Sequence, residues 1–398
     1  MNRTLIAFLL LIFPIFIIAQ ERTYIGIIKD LTTQMPIDLV SVSLANSNIG
    51  TVSNEEGNFR ITIPDTQKKL QFSHLNYNLY AFTIADQDTL AIFLEPKTFT
   101  LDEVIVSNEP VGDMMKEILK NSRKHLENSI LMNTYYREFG IVNGQYISFA
   151  DGMLDYNIRK TSGKSDVYVK QSRAKKIKDA AMAKMQGDLA GFSFFDVEDA
   201  ISDAYNFKKI SNVLTSDSYD FVLRNKTDSK GNVVQIVSIL PKADVEEYLY
   251  EGSVTYDYNS KLILEIDLHK APSHEKYNKL VNILVAKAKV TCDSRKSIFR
   301  MDNGKYMLAY NSHRVGMHIQ MRNRFDDDFE SLSDVVNLDY KEGEFKMDRN
   351  QRFREKTLYK AGTKYTDEFW KTKNIKLLSA EEENIIKSLE NATASVVR

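Results

Sequence analysis

Apolar residues recur at every second position through most of the first hundred residues, and this alternation constrains the fold more than any other feature. Val40, Val42 and Leu44 alternate with Ser41 and Ser43; Phe59, Ile61 and Ile63 alternate with Asn58, Arg60 and Thr62. Leu70 and Phe72, then Tyr80, Phe82 and Ile84, then Ile92 and Leu94, keep the same period. A strand sends successive side chains to opposite faces, so each run reads as a strand with one buried face. The turn residues between the runs fall at sandwich spacing. Asn54-Glu55-Glu56-Gly57 is the sharpest turn, and its glycine suits a positive φ. A calcium loop on Glu55 and Glu56 is the competing reading. Adjacent carboxylates point in different directions, so a plain turn is expected.

Within this region, YIGIIKDLTTQMPIDLVSVSLANSNIGTVSNEEGNFRITIP (Tyr24 to Pro64) spaces Gly26, Asp30, Pro36-Ile37, Gly50-Thr51, Ser53-Asn54 and Gly57-x-Phe59. The pattern resembles the carboxypeptidase-regulatory-like domain, a small transthyretin-like β-sandwich. LDEVIVSN (Leu101 to Asn108) resembles its closing strand. In exported Bacteroidota proteins that domain often precedes a TonB-dependent receptor, so the resemblance implies the cell envelope. A receptor barrel of roughly 22 strands at about 10 residues each needs far more chain than follows Asn108. A smaller barrel fits by length, but runs such as Lys289 to Arg300 carry charge on both faces.

The first nineteen residues read as a secretory signal. Arg3 is followed by an apolar run, Leu5 to Ile18, broken only by Pro14, and Ala19 offers a small cleavage residue before Gln20. The run is short for a membrane span of about 20 residues, the alternative being a retained anchor. The mature chain is therefore expected in the periplasm or associated with the outer membrane, without a transmembrane span. Cys292 is the only cysteine, which leaves no acylated terminus and no internal disulfide. It sits in AKVTCDS, a strand-like run, and reads as a buried structural thiol. With 53 Lys+Arg against 54 Asp+Glu, the chain has no electrostatic footprint for nucleic acid.

Pro110 marks a boundary at Ser107-Asn108-Glu109-Pro110, after which the period changes. Val111, Met114, Met115, Ile118, Leu119 and Leu126 fall at helical spacing, giving a connecting helix within 109–130. From 131 to 398 the chain reads as β-rich. Asn143-Gly144, Asp228 to Asn232, Asn259-Ser260 and Asp302-Asn303-Gly304 punctuate successive hairpins. Gly252-x-Val254-x-Tyr256-Asp257 resembles strand pairs of lipoprotein-carrier-type half-barrels. Lys170 to Ala204 reads as partly helical, with Lys170, Arg173, Lys175, Lys176 and Lys178 as a solvated face or an anionic-lipid or polysaccharide site. Ser379-x-x-Glu382 is a capping box before Ile385, Ile386 and Leu389. Asp367 to Ile386 resembles the C-terminal signature of uncharacterised Bacteroidota envelope proteins with this regulatory-like domain. The expected fold is mainly β (α+β): signal peptide 1–19, sandwich 20–108, helix, then a large curved antiparallel sheet with packed helices, half-barrel-like. Few contacts are expected across Pro110, and each half is expected to fold alone.

The resemblance to metallocarboxypeptidase accessory domains calls for a test of zinc chemistry. None of the six histidines has Glu three residues later, and HExxH is absent. His313 and His318, five apart in a strand, point to opposite faces. Thr161 to Ser165 contains GKS without the first glycine of a phosphate-binding loop, and Gly191 to Phe195 lacks the second glycine of a nucleophile elbow. Asp326-Asp327-Asp328 reads as a solvated loop. No catalytic, metal, cofactor or nucleotide site is expected. The leading expectation is a non-catalytic envelope protein. Its regulatory-like domain docks, and its β-rich part binds a lipid, acyl chain or other extended ligand in a pocket lined by Tyr250, Tyr256, Tyr306 and Tyr310. An interaction scaffold for an envelope secretion or receptor complex is the alternative, and a cryptic hydrolase the third.

Overall fold

The computed structural model describes residues 21–85, 87, 89–99, 103–105, 110–126, 129–159, 165–176, 196–283, 286–302, 304–364, 370 and 373–395. The signal segment 1–19, Gly163-Lys164, Lys178 and Gly191 to Phe195 lie outside these residues.

Seven strands build the N-terminal sandwich: β1 (Glu21–Asp30), β2 (Ser41–Leu44), β3 (Gly50–Val52), β4 (Asn58–Pro64), β5 (Lys69–His74), β6 (Tyr77–Thr83) and β7 (Thr89–Leu94). One sheet has the order β4-β1-β7 and the other β3-β2-β5-β6. The alternating residues Val42, Phe59, Ile61, Leu70, Phe72 and Ile92 meet Tyr24 and Ile28 in a fully buried core. Asn54 makes the expected turn: its Oδ1 accepts from the backbone N–H groups of Glu56 and Asn58 at 3.1 and 2.8 Å. Gly57 takes φ +73, and a Cβ there would lie 2.3 Å from the Ile28 carbonyl.

The closing segment departs from expectation. β8 (Glu103–Val104) pairs with β12 (Tyr219–Thr227) at the end of a second sheet, and Ile105 N–H donates to the Leu223 carbonyl at 2.9 Å. Ile105 packs on that sheet's core, so burial draws the segment away from the sandwich.

The second sheet comprises twelve strands and is open. After β8 come β9 (Ile130–Val142), β10 (Gln145–Ile158), β11 (Ser165–Lys176), β12, β13 (Val233–Pro241), β14 (Tyr250–Asp257), β15 (Ile263–Lys270), β16 (Val281–Ile283), β17 (Ala286–Asp302), β18 (Lys305–Met321) and β19 (Phe325–Glu342). The order is β11-β10-β9-β19-β18-β17-β15-β14-β13-β12-β8, with β16 on β17, and the pairing is antiparallel throughout. The Asn143-Gly144 pair turns at φ +49 and +76, as its residue types require. Among the described residues four α-helices accompany the sheet: α1 (Val111–His125), α2 (Asp199–Asn206), α3 (Lys208–Leu214) and α4 (Ala380–Ser395).

β19 joins the β9–β11 end to the rest, and its first residues replace the loop expected at Asp326 to Asp328. These residues pair with Gln320, Ile319 and His318. The strand is central and covered on both faces, Val335 entering one core and Val336 the other, so it carries no period-two pattern. Of the stretch Lys170 to Ala204, expected to be partly helical, residues 170–176 belong to β11 and 199–204 to α2, while 177–195 lie outside the described residues. Lys170, Arg173 and Lys175 pair with Asp155, Asp151 and Glu390 at 2.8, 2.6 and 3.0 Å, while the Lys170 side chain stays 48% exposed.

One face of the sheet, carrying Met132, Tyr136, Val237, Val254 and Leu268, is packed by α1 to α3. On the opposite face Tyr135, Met153, Val336 and Leu338 pack with Val52 of the sandwich, Ile375 and Trp370. Contacts across the boundary are therefore extensive. Thr51 Oγ1 donates to the Ile375 carbonyl at 3.1 Å, Asn54 Nδ2 to the Leu378 carbonyl at 3.2 Å, and Arg300 Nη1 to Ser41 Oγ at 2.9 Å. The C-terminal segment fills the seam because its apolar residues are shared by both layers.

Candidate functional site

The long strands bring charged residues into register on the helical face. Arg295, His313, Ser333 and Glu138 are direct cross-strand neighbours on β17, β18, β19 and β9. Two residues along, Asp293 joins them: His313 Nε2 lies 3.1 Å and Arg295 Nε 3.4 Å from its Oδ1, and the Tyr250 hydroxyl donates to its Oδ2. Above this row α2 supplies Asp199 and Asp203, and Arg295 Nη1 donates to Asp203 Oδ2 at 3.2 Å. With Asp196 and Lys356 they line a polar pocket of about 320 Å³. Phe207, between α2 and α3, holds φ +51 with its ring buried 5.4 Å from Phe299. A bulky residue there is strained, and packing in the core fixes the break between the two helices.

The electrostatics of the row follow from burial against pairing. Burial pushes the Asp293 carboxyl up, but His313, Arg295 and Tyr250 outweigh it and hold it well below the usual range. Burial and the facing Asp293 raise the Tyr250 hydroxyl. Lys270, over the Tyr250 ring at 4.0 Å, is lowered to about 8 by burial and by Lys209. Glu138 is buried and its carboxyl raised by that burial, although Thr357, Tyr359 and Tyr136 all donate to it. The pocket itself is lined by Asp196, Asp199, Asp203, Arg295 and Lys356, charges of both signs that suit a polar, hydrogen-bonding ligand.

The four tyrosines expected to line an apolar cavity are all buried, and they do not converge. Tyr256 donates to Gln235 Oε1 at 2.6 Å and Tyr306 to the Ile263 carbonyl at 2.7 Å, both inside the core under the helices. Tyr250 belongs to that core and turns its hydroxyl to Asp293. Tyr310 faces the opposite side and donates to Asp334 Oδ2 at 3.2 Å. The cause is a bulge between Ile298 and Phe299 that shifts the β17–β18 register by one and turns Tyr310 away from Tyr306. The same slip conceals the Arg295–His313 pair, because counting from the Asn303-Gly304 turn sets Arg295 opposite Ser312.

On the opposite face a buried charge network ties the sandwich to the sheet. Arg137 on β9 contacts Asp334 at 2.7 Å and Glu382 at 2.7 Å, and Lys376 contacts Asp334 at 3.3 Å and Glu55 at 2.7 Å. Glu55 belongs to the sandwich turn, and Glu56 beside it accepts from the Ala380 backbone N–H at 2.8 Å. Glu382 also closes the capping box read from sequence, accepting from Ser379 N–H at 2.9 Å while Ser379 Oγ accepts from Glu382 N–H at 3.2 Å. Burial raises the Asp334 carboxyl, but Arg137 and Lys376 more than offset it and the net shift is downward.

His318 bridges Asp326 and Asp328 at 2.9 Å each, on the opposite side of its strand from His313. Among the described residues no three His, Cys, Asp or Glu side chains are arranged so that they could hold a metal ion. No helix among them is long and apolar enough to cross a membrane. Cys292 is half-buried, and burial raises its thiol to about 11.

Comparison with known proteins locates one part of the chain. A curated relative is the TonB-dependent receptor P3 of Formosa agariphila, 27% identical over 106 residues, which are 27% of this chain and 10% of the receptor. The chain thus spans a tenth of that relative's length. Among solved structures, a LolA superfamily protein from Nitrosomonas europaea overlaps 60% of this chain and 97% of its own, at 10% identity and a TM-score of 0.25. A DUF1329 family protein from Desulfovibrio piger overlaps 58% and 94%, at 12% identity and a TM-score of 0.23. Scores this low carry no weight for fold or ligand. Residues 24–106 match the family model of the CarboxypepD_reg-like domain, a stretch that takes in the seven-stranded sandwich described above.

Proposed function

We propose that this chain is an exported cell-envelope protein that binds rather than transforms its ligand, its regulatory-like domain docked as a fixed layer on the large sheet. The observation that carries this reading is the Glu55–Lys376–Asp334–Arg137–Glu382 network. Buried pairs fix geometry more than they add stability, and this one sets the sandwich against the sheet as a composite surface. The match to a receptor segment supports the envelope. The binding reading is supported by Asp293: it is held ionised by three partners, whereas a general base works best with a pKa near the operating pH.

The test has two arms in cells producing the full chain. Fractionation with N-terminal mass spectrometry is expected to find a mature terminus at Gln20 in the periplasmic or outer-membrane fraction; an uncleaved cytosolic chain refutes export. Purified protein is then assayed on ester, peptide and glycoside panels. Turnover abolished by His313→Ala refutes the binding reading and establishes the hydrolase.

A further inference from the structure

A second concavity lies at the seam between sandwich and sheet. It is a groove of about 670 Å³, within the range of about 300–1,000 Å³ typical of small-molecule sites. Its floor is the outer face of the three-stranded sheet, where Ile25 and Arg60 are direct cross-strand neighbours. Its wall is the C-terminal segment, with Trp370, Ile375, Leu377 and Leu378. Ile25 is 50% exposed, and Trp370, Leu377 and Leu378 are only partly buried, so an open apolar strip runs along a groove that also carries Glu56, Asn58, Arg60, Arg173 and Glu383.

The charges in this groove are unequally matched. Arg173 is held by Asp151 through two hydrogen bonds, of 3.0 and 2.6 Å. Glu56 accepts from Asn58 and Ala380, and Glu383 lies 3.7 Å from Lys387. Arg60 has no carboxylate within ion-pair distance among the described residues, and its Nε is buried without an acceptor. Burial lowers its guanidinium pKa. A half-buried cation beside apolar side chains calls for an anion from outside the chain, because an unmatched buried donor costs about 1–3 kcal/mol.

We infer that this groove binds a single-chain anionic amphiphile, its carboxylate on Arg60 and its alkyl chain along Ile25, Trp370, Leu377 and Leu378. The site goes beyond the docking reading and does not depend on it. It also moves the hydrophobic ligand away from the tyrosines under the helices, where packing leaves their rings in the core.

Trp370 is the only tryptophan in the chain, so its emission reports this groove alone. Residues 20–398 are titrated with palmitate below its micellar concentration, with hexadecanol as the uncharged chain and acetate as the charge alone. The expected result is a saturable blue shift with palmitate, affinity at least about tenfold weaker for hexadecanol, and no response to acetate. Arg60→Met is expected to lose about tenfold for palmitate and nothing for hexadecanol, and Ile25→Glu, at an exposed position, to weaken both. No response to palmitate, equal affinity in Arg60→Met, or hexadecanol matching palmitate each overturns the inference. The export and turnover assays above stand or fall separately.

Discussion

Replacing Lys376 by Met isolates the seam. The lysine side chain is 2% exposed, and its ammonium serves Asp334, 4% exposed, and Glu55, 51% exposed. Methionine keeps most of the buried stem and removes only the charge. Breaking a buried pair by removing one partner costs about 3–5 kcal/mol because the other charge stays buried. Asp334 keeps Arg137 at 2.7 Å, which places the loss at the lower end, about 3 kcal/mol. The half-exposed Glu55 contact adds less than about 1 kcal/mol. Urea denaturation read by Trp370 emission is expected to show that loss as a lower midpoint, and Glu55→Gln alone a shift of under about 1 kcal/mol. The pH dependence gives a second check. The folded Asp334 carboxyl lies below its ordinary value of 3.8, so its contribution is complete at neutral pH and fades as the pH falls below about 4. The gap between wild type and variant therefore narrows in acid. A Lys376→Met loss below about 1 kcal/mol at pH 7, or a gap that widens in acid, refutes the reasoning.

Four further outcomes are expected. Cys292, its thiol raised to about 11, should alkylate on the order of a hundredfold more slowly at pH 8 than a free thiol, a gap that urea abolishes; equal rates would show it exposed. Gly252→Ala should destabilise the chain by at least about 2 kcal/mol in thermal or urea unfolding, since Gly252 has φ +148 and its Cβ would meet the Asp267 carbonyl at 2.0 Å. Burial lowers His74 to about 4, so the folded chain refuses a proton that the unfolded chain accepts below about 6.5, and stability falls between those values. His74→Gln should flatten that slope in urea midpoints measured from pH 7 to 4. Residues 21–108 contain their own core and should unfold cooperatively alone, at a lower temperature than in the full chain because Val52 and Glu55 lose their partners; a random-coil circular dichroism spectrum would contradict this.

Much of the fold was legible in the sequence wherever burial is one-sided. Val42, Phe59, Ile61, Phe72 and Ile92 alternate because each sandwich strand has one face inward, and Asn143-Gly144 and Gly57 mark turns whose φ values only such residues adopt comfortably. The Ser379–Glu382 box was likewise visible because a cap is a local contact. Three features were decided by tertiary structure alone. β19 is covered on both faces, which erases the periodicity that would announce it. The bulge at Ile298 sets Arg295 opposite His313 and sends Tyr310 to the far side, and one residue of register is not encoded in residue types. Glu55 meets Lys376, and Arg60 lines one groove with Trp370 and Leu378, across more than 300 residues of chain. Local sequence specifies which residues are charged or apolar, but only the packing of layers decides which charges are matched and which stay open to a ligand.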